Sequence, residues 1–355
     1  MEDRISLVMI VKNEEKNLPR CLKSVKGIVD EMIIVDTGSD DGTKKVAYDL
    51  GAKVYDFKWI NDFSAARNFG LDKATSEFRI ILDADEYIVS GNKENILNTV
   101  NKNSIGQIEF LNAFQKNGEV RYSRNYISRI CYNDVRYTGK IHEQLESKKI
   151  RVKTNIQVSH DGYLNKDKSQ RNLDILFDAI KDNPNDTYLL YQLAHTLNLA
   201  GRKEESAKWY EKYYRIGNLR DYYRCEAVVD YLYNLIAIGK LEEGLLIVQN
   251  ESIRYNDSPD FNFVCGEFYR ELVLSDINKY INYLPYIEKS YFRCLEIGET
   301  QKYDSIVGTG SFLASYNLGV WYEVSGQVEK AKSYYTMSVE WGYQKAAERL
   351  KMLNS

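Results

Sequence analysis

Apolar residues in the first part of the chain come in short runs separated by stretches with helical spacing. Ile5-Ser6-Leu7-Val8-Met9-Ile10-Val11 ends in the polar Lys12-Asn13-Glu14-Glu15, after which Leu18, Cys21, Leu22 and Val25 recur every three or four positions. The same order returns with Met32-Ile33-Ile34-Val35, the loop Asp36-Thr37-Gly38-Ser39-Asp40-Asp41-Gly42, and a helix from Thr43 carrying Val46, Ala47 and Leu50, closed by Gly51. Ala52-Lys53-Val54-Tyr55 predicts a third strand, residues 63–74 a helix bearing Arg67 and Asn68, and Ile80-Ile81-Leu82 a buried fourth strand. Alternation with connections this short predicts a parallel sheet with right-handed crossovers. Residues 107–111 and 126–131 predict further strands that complete a mixed sheet.

After Tyr163 the strand signals stop, and 22 of the 29 tyrosines lie from that residue onward, which predicts aromatic helices packed on one another. A polar linker over 165–170 precedes a helix with Leu173, Leu176, Phe177 and Ile180, stopped by Asn183-Pro184. Leu193-Ala194, Leu197, Gly201, Ser206, Tyr210 and Tyr213 then occupy the small, large and turn positions of a tetratricopeptide unit. Leu318-Gly319, Tyr322, Gly326, Ala331, Tyr335 and Ser338 repeat the same offsets. Weaker copies pass through Tyr231-Leu232 with Gly239 and Gly244, and through Cys265-Gly266 with Tyr269, the latter with an insertion over 276–285. Three or four helical pairs and a capping helix over 341–353 are expected. The expected division is an α/β domain over 1–165 and an all-α repeat domain over 166–355.

Candidate chemistry gathers where the strands end. In the fourth, Asp83-Ala84-Asp85-Glu86 follows Leu82 directly, and ligands of open α/β sheets lie beyond the carboxyl ends of the strands. The strand is expected to be buried and its acids to stay in solvent. Two carboxylates one residue apart repel unless positive charge lies between them, which suits a hard divalent ion that also holds a diphosphate; a solvated strand end is the alternative. Asp36 is placed to accept from a ring N–H or a ribose hydroxyl, or to close an Asx-turn. Arg67 can pair with Asp83, with Asp85 or with a phosphate. The first three polar loops, after strands one, two and four, open on one edge. No phosphate-loop or dinucleotide glycine pattern stands at these strand ends, so metal and side chains are left to hold phosphates.

Composition narrows the class. A net charge of −3 with 44% hydrophobic and 28% charged residues describes an ordinary globular protein and makes nucleic acid an unlikely partner. No run approaches 18 apolar residues and no leader pattern precedes the first strand, so no transmembrane segment and a cytoplasmic location are expected. Cys21, Cys131, Cys225, Cys265 and Cys294 are scattered, with neither disulfide nor zinc spacing.

Four motifs in order, running over residues 6–15, 34–43, Ala66-Arg67-Asn68 and Asp83-Ala84-Asp85, resemble family-2 glycosyltransferases with the GT-A fold. The resemblance covers roughly 5–165. It implies a nucleotide-sugar donor held around Val11, Asn13, Glu14, Asp36, Arg67, Asn68, Asp83, Ala84 and Asp85, with Asp36 at the base or ribose. It also implies a divalent cofactor, Mn2+ or Mg2+, with Asp85 as principal ligand and Asp83 and His160 beside it. Gly139-Lys140-Ile141-His142-Glu143 and His160-Asp161-Gly162-Tyr163 resemble the bacterial branch that includes lipopolysaccharide-core and bacteriocin-peptide enzymes. There Glu143 is expected as general base, with His142 beside it, because the Glu-Asp pair common elsewhere in the family has no counterpart here.

The expected activity is inverting transfer of a hexose from a nucleotide diphosphate sugar, UDP-glucose or similar, to a Ser, Thr or Cys side chain of a peptide or protein. A lipid-linked or cell-surface glycan is the alternative acceptor, and a non-catalytic nucleotide-binding scaffold the alternative class. The helical repeats are expected to bind the acceptor or to form a homodimer.

Overall fold

The computed structural model describes residues 4–116, 118–161 and 169–354. The chain divides into two compact units, Met1–Ala179 and Ile180–Ser355. The boundary expected at 165/166 and the residues Gly162, Tyr163 and 165–168 lie outside the described residues.

The first unit is a mixed sheet with helices on both faces. Strands β1 (Ile5–Val11), β2 (Glu31–Asp36), β3 (Lys53–Asp56) and β4 (Phe78–Ile81) run parallel in the order β3-β2-β1-β4. The sheet continues through β7 (Glu119–Tyr132), antiparallel to β4 and to β6 (Ser104–Lys116), then β10 (Ile150–His160), parallel to β6, and β5 (Glu86–Ser90), antiparallel to β10. Helices α1 (Leu18–Ser24), α2 (Thr43–Asp49), α3 (Phe63–Lys73) and the short α4 (Lys93–Leu97) connect the strands, and β8 (Arg136–Thr138) and β9 (Gln144–Glu146) form a separate hairpin.

Alternation along β1 explains why its whole run is apolar. Leu7, Met9 and Val11 pack with Leu18, Cys21, Leu22 and Ala47 on one face. Val8 packs with Ile33, Ile81, Leu71 and Ala74 on the other. The parallel core matches the expectation, whereas three features differ from it. Strands β6 and β7 extend beyond 107–111 and 126–131, because their distal halves pair through polar and half-buried residues such as Asn112 with Ser123 and Gln115 with Val120. Strand β10 alternates buried Thr154, Ile156 and Val158 with Lys153, Asn155 and Gln157, a period-2 pattern that charge and polarity obscure. Strand β5 begins at Glu86, inside the acidic stretch.

Helix α5 (Ser169–Asp182) carries the buried Leu173 and Leu176 and spans the division between the units. The second unit then pairs α6 (Thr187–Leu199) with α7 (Lys203–Ile216), and α8 (Arg224–Ala237) with α9 (Leu241–Glu251). Helix α10 (Pro259–Ser275) pairs with α12 (Leu284–Ile297), α11 (Ile277–Tyr280) lying in the expected insertion, and α13 (Phe312–Val324) pairs with α14 (Val328–Glu340). Helix α15 (Gln344–Asn354) closes the unit, starting after Trp341, which ends α14.

The repeat offsets have a steric cause. A β-carbon on Gly319 would lie 2.6 Å from the Tyr335 ring, one on Gly266 2.7 Å from Tyr291, and one on Gly244 2.6 Å from Phe268. Each pair thus sets a glycine on one helix under an aromatic ring on its neighbour, and Tyr210 and Tyr335 are fully buried. Gly201 and Gly326 take φ of +78° and +75° in the turns between paired helices, a conformation open to glycine.

A buried acid fastens the start of β2. Glu31 accepts from the Ser6 hydroxyl at 2.8 Å, the Thr75 N–H at 2.8 Å and Lys53 at 2.7 Å. Burial alone would raise its pKa, yet Lys53, Thr75 and Ser6 together lower it from 4.5 to about 2. Its stabilisation is therefore fully present above pH 4.5 and lost as the pH falls through about 2. Glu31→Gln should cost roughly 1.5–3 kcal/mol near neutral pH, the range for hydrogen bonds to charged groups. In urea titrations the gap from wild type should shrink steadily below pH 4.5; a gap that stays constant to pH 2.5 would contradict the assignment.

Candidate functional site

Parallel pairing of β1, β2 and β4 brings the loops that follow them to one edge of the sheet. The first two loops are stitched to each other. Val11 accepts from the Thr37 N–H, the Asn13 N–H donates to the Ser39 hydroxyl at 2.9 Å, and the Asn13 side-chain oxygen accepts the Asp40 N–H at 2.9 Å. The Glu14 N–H donates to Thr43 Oγ1 at 2.8 Å, and the Glu14 carboxylate accepts from Asn17. Asn13 has φ of +56°, a left-handed conformation that asparagine tolerates better than most residues.

Of the two roles expected of Asp36, the Asx-turn is formed. Its Oδ1 closes an Asx-turn, accepting from Gly38 N–H at 3.0 Å and Ser39 N–H at 2.9 Å. Its Oδ2 is buried with no hydrogen-bond partner, in a residue only 1% exposed. A buried carboxylate oxygen left open is costly, and with Lys44 Nζ 4.0 Å from Oδ1 the position has room for one further donor, from water or a ligand.

Around the end of β4 lies a network of buried charge. The α3 residue Arg67, 5% exposed, pairs through Nε with Glu143 and through Nη2 with Asp83 Oδ1 at 3.0 Å. Its Nη1 is buried without a partner. Burial opposes its charge, but Asp83 and Glu143 outweigh this and raise its pKa well above the ordinary value. From β7, Arg129 Nη2 reaches Glu86 Oε1 at 3.0 Å and Asp83 Oδ2 at 3.4 Å. Asp85 and Glu86 are themselves buried, against the expectation that the acids remain in solvent; Arg129 and His160 supply the positive partners that make this tolerable.

Glu143 reaches Arg67 from the loop between β8 and β9. Asn68, expected at the donor, instead commits its side-chain amide to both backbone groups of Tyr137, at 2.9 and 2.8 Å. Together with the Phe63 N–H donating to the Lys140 carbonyl, this ties the loop to α3. His142 lies in that loop, half-buried, with φ of +49°. A non-glycine residue held there stores local strain of about 1–3 kcal/mol, which such loops retain at functional sites.

His160 ends β10 and stands opposite Glu86 in the sheet. Its Nδ1 lies 2.9 Å from the Asn112 side-chain oxygen, which makes Nδ1 the donor and turns Nε2 toward Asp85 Oδ1 at 3.7 Å. Burial lowers the pKa of His160, but the Asp85 hydrogen bond and the charges of Glu86, Asp85 and Asp83 more than reverse this and leave it raised. Ala84 is buried beside them.

The structure therefore brings Asp85 and His160 together and turns Asp83 toward the two arginines. Sequence reasoning missed Arg129, Glu86 and Asn112. The only signal for Arg129 was a charged residue at an alternating position of a strand, and Asn112 lay beyond the predicted end of its strand. Among the described residues no group of three or more His, Cys, Asp or Glu side chains forms a metal cage. The pair of one carboxylate and one imidazole, whose second nitrogen is fixed by an amide oxygen, nevertheless fits a divalent ion that takes its remaining ligands from phosphate and water.

Residues 6–163 match the family model Glycosyl transferase family 2, and the N-terminal part of the chain is a domain of that family. The chain resembles a TPR repeat-containing protein of Synechococcus elongatus, 31% identical over 224 residues, which are 58% of this chain and 55% of that protein. It also resembles the SPbeta prophage-derived glycosyltransferase SunS of Bacillus subtilis, 30% identical over 233 residues, 59% of this chain and 52% of that protein. The chain thus spans about half the length of these curated relatives. Among solved structures, YrrB, described as a TPR protein with an unusual peptide-binding site, overlaps 52% of this chain and 84% of its own, with a TM-score of 0.39 and 16% identity. Among the described residues no helix is long and apolar enough to cross a membrane.

The position of Arg67 depends on a close approach of α3 to the sheet. A β-carbon on Gly70, one turn further along α3, would lie 2.8 Å from Val8 Cγ1 and 3.0 Å from Val35 Cγ2. Gly70→Ala should therefore lower the unfolding midpoint, by about 1–3 kcal/mol of stability for an overpacked core. An unchanged midpoint in thermal denaturation would show that α3 can lift from the sheet without penalty.

Proposed function

We propose that the chain is a metal-dependent, inverting glycosyltransferase that moves a hexose from a nucleotide diphosphate sugar, UDP-linked, to a Ser, Thr or Cys side chain of a peptide or protein. The observation that carries the reading is the Asp85–His160 pair, 3.7 Å apart and fixed by Asn112, on the same sheet edge as the open Oδ2 of Asp36. The family match over residues 6–163 supports the same chemistry.

In this reading Asp36 Oδ2 accepts from the base or a ribose hydroxyl, and the stitched loops of Val11, Asn13 and Glu14 wall the nucleotide. Asp85 and His160 would hold Mn2+ or Mg2+, which supplies positive charge to the departing diphosphate. Arg67 bridges Glu143 and Asp83, offsetting their mutual repulsion, and offers its open Nη1 to an oxygen of the substrate. Glu143 takes the proton of the acceptor hydroxyl or thiol as the acceptor atom bonds to the anomeric carbon and the bond to the diphosphate breaks. Asn68 and the strained His142 position the loop that carries Glu143. The helical pairs of the second unit offer the extended surface a polypeptide acceptor needs, and self-association through them is the competing use.

Two variants separate the roles. Asp85→Asn should abolish metal-dependent binding of UDP in calorimetry and most transfer, and excess chelator should do the same to the wild type; full turnover in chelator refutes the metal role. Glu143→Gln retains the shape but cannot accept a proton, so transfer should fall about 10²–10⁴-fold with nucleotide-sugar affinity little changed. Loss of that affinity instead would make Glu143 a donor contact and place the base elsewhere. A panel of UDP sugars tested for thermal protection and slow hydrolysis decides whether the chain takes such a donor at all.

A further inference from the structure

The turn that carries Asp85 is closed by Asp83 and Glu86. Asp83 N–H donates to Glu86 Oε2 at 2.8 Å, and Glu86 N–H donates to the Asp83 carbonyl at 3.0 Å, so the turn of four residues is closed at both ends by Glu86. The other carboxylate oxygen, Glu86 Oε1, accepts from Arg129 Nη2 at 3.0 Å, and the same nitrogen lies 3.4 Å from Asp83 Oδ2. Glu86 is 3% exposed. Burial raises its pKa and the charge of Asp83 adds to this, while Arg129 opposes both.

These contacts join three strands at one point. Arg129 belongs to β7, which pairs with β4 directly before the acidic turn through Phe78 with Tyr132 and Ile80 with Ile130. Glu86 opens β5 and stands opposite His160 of β10. The spacing of Asp85 from His160 is therefore set by where Glu86 lies, and Glu86 is held by Arg129. Glu86 and Arg129 are committed to each other, and the single nitrogen Nη2 of Arg129 reaches two carboxylates at once, which ties the acidic turn to β7.

We propose that Arg129 and Glu86 are positioning residues that set the spacing of Asp85 and His160 for a divalent cation and its bound diphosphate. The proposal rests on the metal reading given above and adds to it the residues that tune cation affinity. Groups that orient metal ligands typically change affinity or activity 10–100-fold when removed.

The test uses the full chain, with Mn2+ and UDP as probes and the half-saturating Mn2+ concentration in calorimetry as the readout. Removing either partner alone leaves a buried charge unpaired and risks unfolding. The informative variant is therefore the double substitution Arg129→Met with Glu86→Gln, which removes both charges and keeps an amide oxygen able to accept the Asp83 N–H. Its thermal midpoint is compared with wild type to show that the fold is intact. The expected result is a half-saturating Mn2+ concentration raised roughly 10–100-fold, with UDP affinity in the absence of metal unchanged because the Asp36 pocket is untouched. Arg129→Lys keeps the charge but does not set it where the guanidinium Nη2 lies, and should give a smaller rise at an intact midpoint, so the proposal remains testable should the double variant not fold. Wild-type Mn2+ affinity in either folded variant overturns the proposal alone. Failure of the wild-type chain to bind Mn2+ in the presence of UDP overturns the metal reading and this proposal together.

Discussion

A single buried guanidinium holds the candidate site in one piece. Arg67 is nearly sealed from water, and its charge is sustained by carboxylates from two distant segments, Asp83 at the end of β4 and Glu143 in the loop after β8. Removing one partner of such an arrangement leaves a charge in a poorly solvated interior, at a cost of about 3–5 kcal/mol. Helix, strand end and loop are thus not free to drift independently. Gly70 lets α3 lie close enough to β1 and β2 for Arg67 to reach both acids, and the Asn68 amide clamps the loop from the next position along the helix.

The charged groups of this network fall into linked sets. Asp83, Asp85, Glu86 and Glu143 bring four carboxylates, against which the described residues set Arg67, Arg129 and His160. Arg67 and Arg129 share Asp83, and each holds one further acid, Glu143 and Glu86 respectively. Asp85 faces an imidazole whose charge depends on holding a proton. A cation placed between the two would have to displace that proton, so binding there would release a proton and weaken as the pH falls.

Much of this was legible in the sequence, and the reason differs from residue to residue. Asp36, Asp83 and Asp85 announce themselves because each stands at or just past the end of an apolar run, residues 32–35 or 80–82, where an acid has no packing role. Arg67 is legible as a cation on a helix that must lie over the same edge. Arg129 and Asn112 are not, because an alternating strand with one polar face hides an inward-pointing polar residue among outward-pointing ones. Glu86 reads as one more acid of a solvated turn until its buried partner is known. The burial of the acids was misjudged for the same reason: whether a charge can leave water depends on a partner that arrives from a strand more than forty residues away.

In the second unit the sequence shows the rule of assembly more clearly than the use of the surface. Part of the tyrosine is engaged in packing, since Gly319 beneath Tyr335 and Gly266 beneath Tyr291 form interlocking pairs in which the ring fills the space a β-carbon would take. Tyrosine content by itself therefore carries no message about an acceptor. Polar groups between successive pairs are more informative. His195 of α6 lies 2.8 Å from Asp230 of α8, to which Tyr191 also donates at 3.3 Å, so neighbouring pairs are joined by a half-buried polar contact and not by apolar packing alone. Such a contact resists sliding of one pair along the next, because it has one geometry in which its groups are satisfied. At α6 and α8 the contact thus fixes one register between successive pairs, a condition that the proposed acceptor recognition by this unit would need.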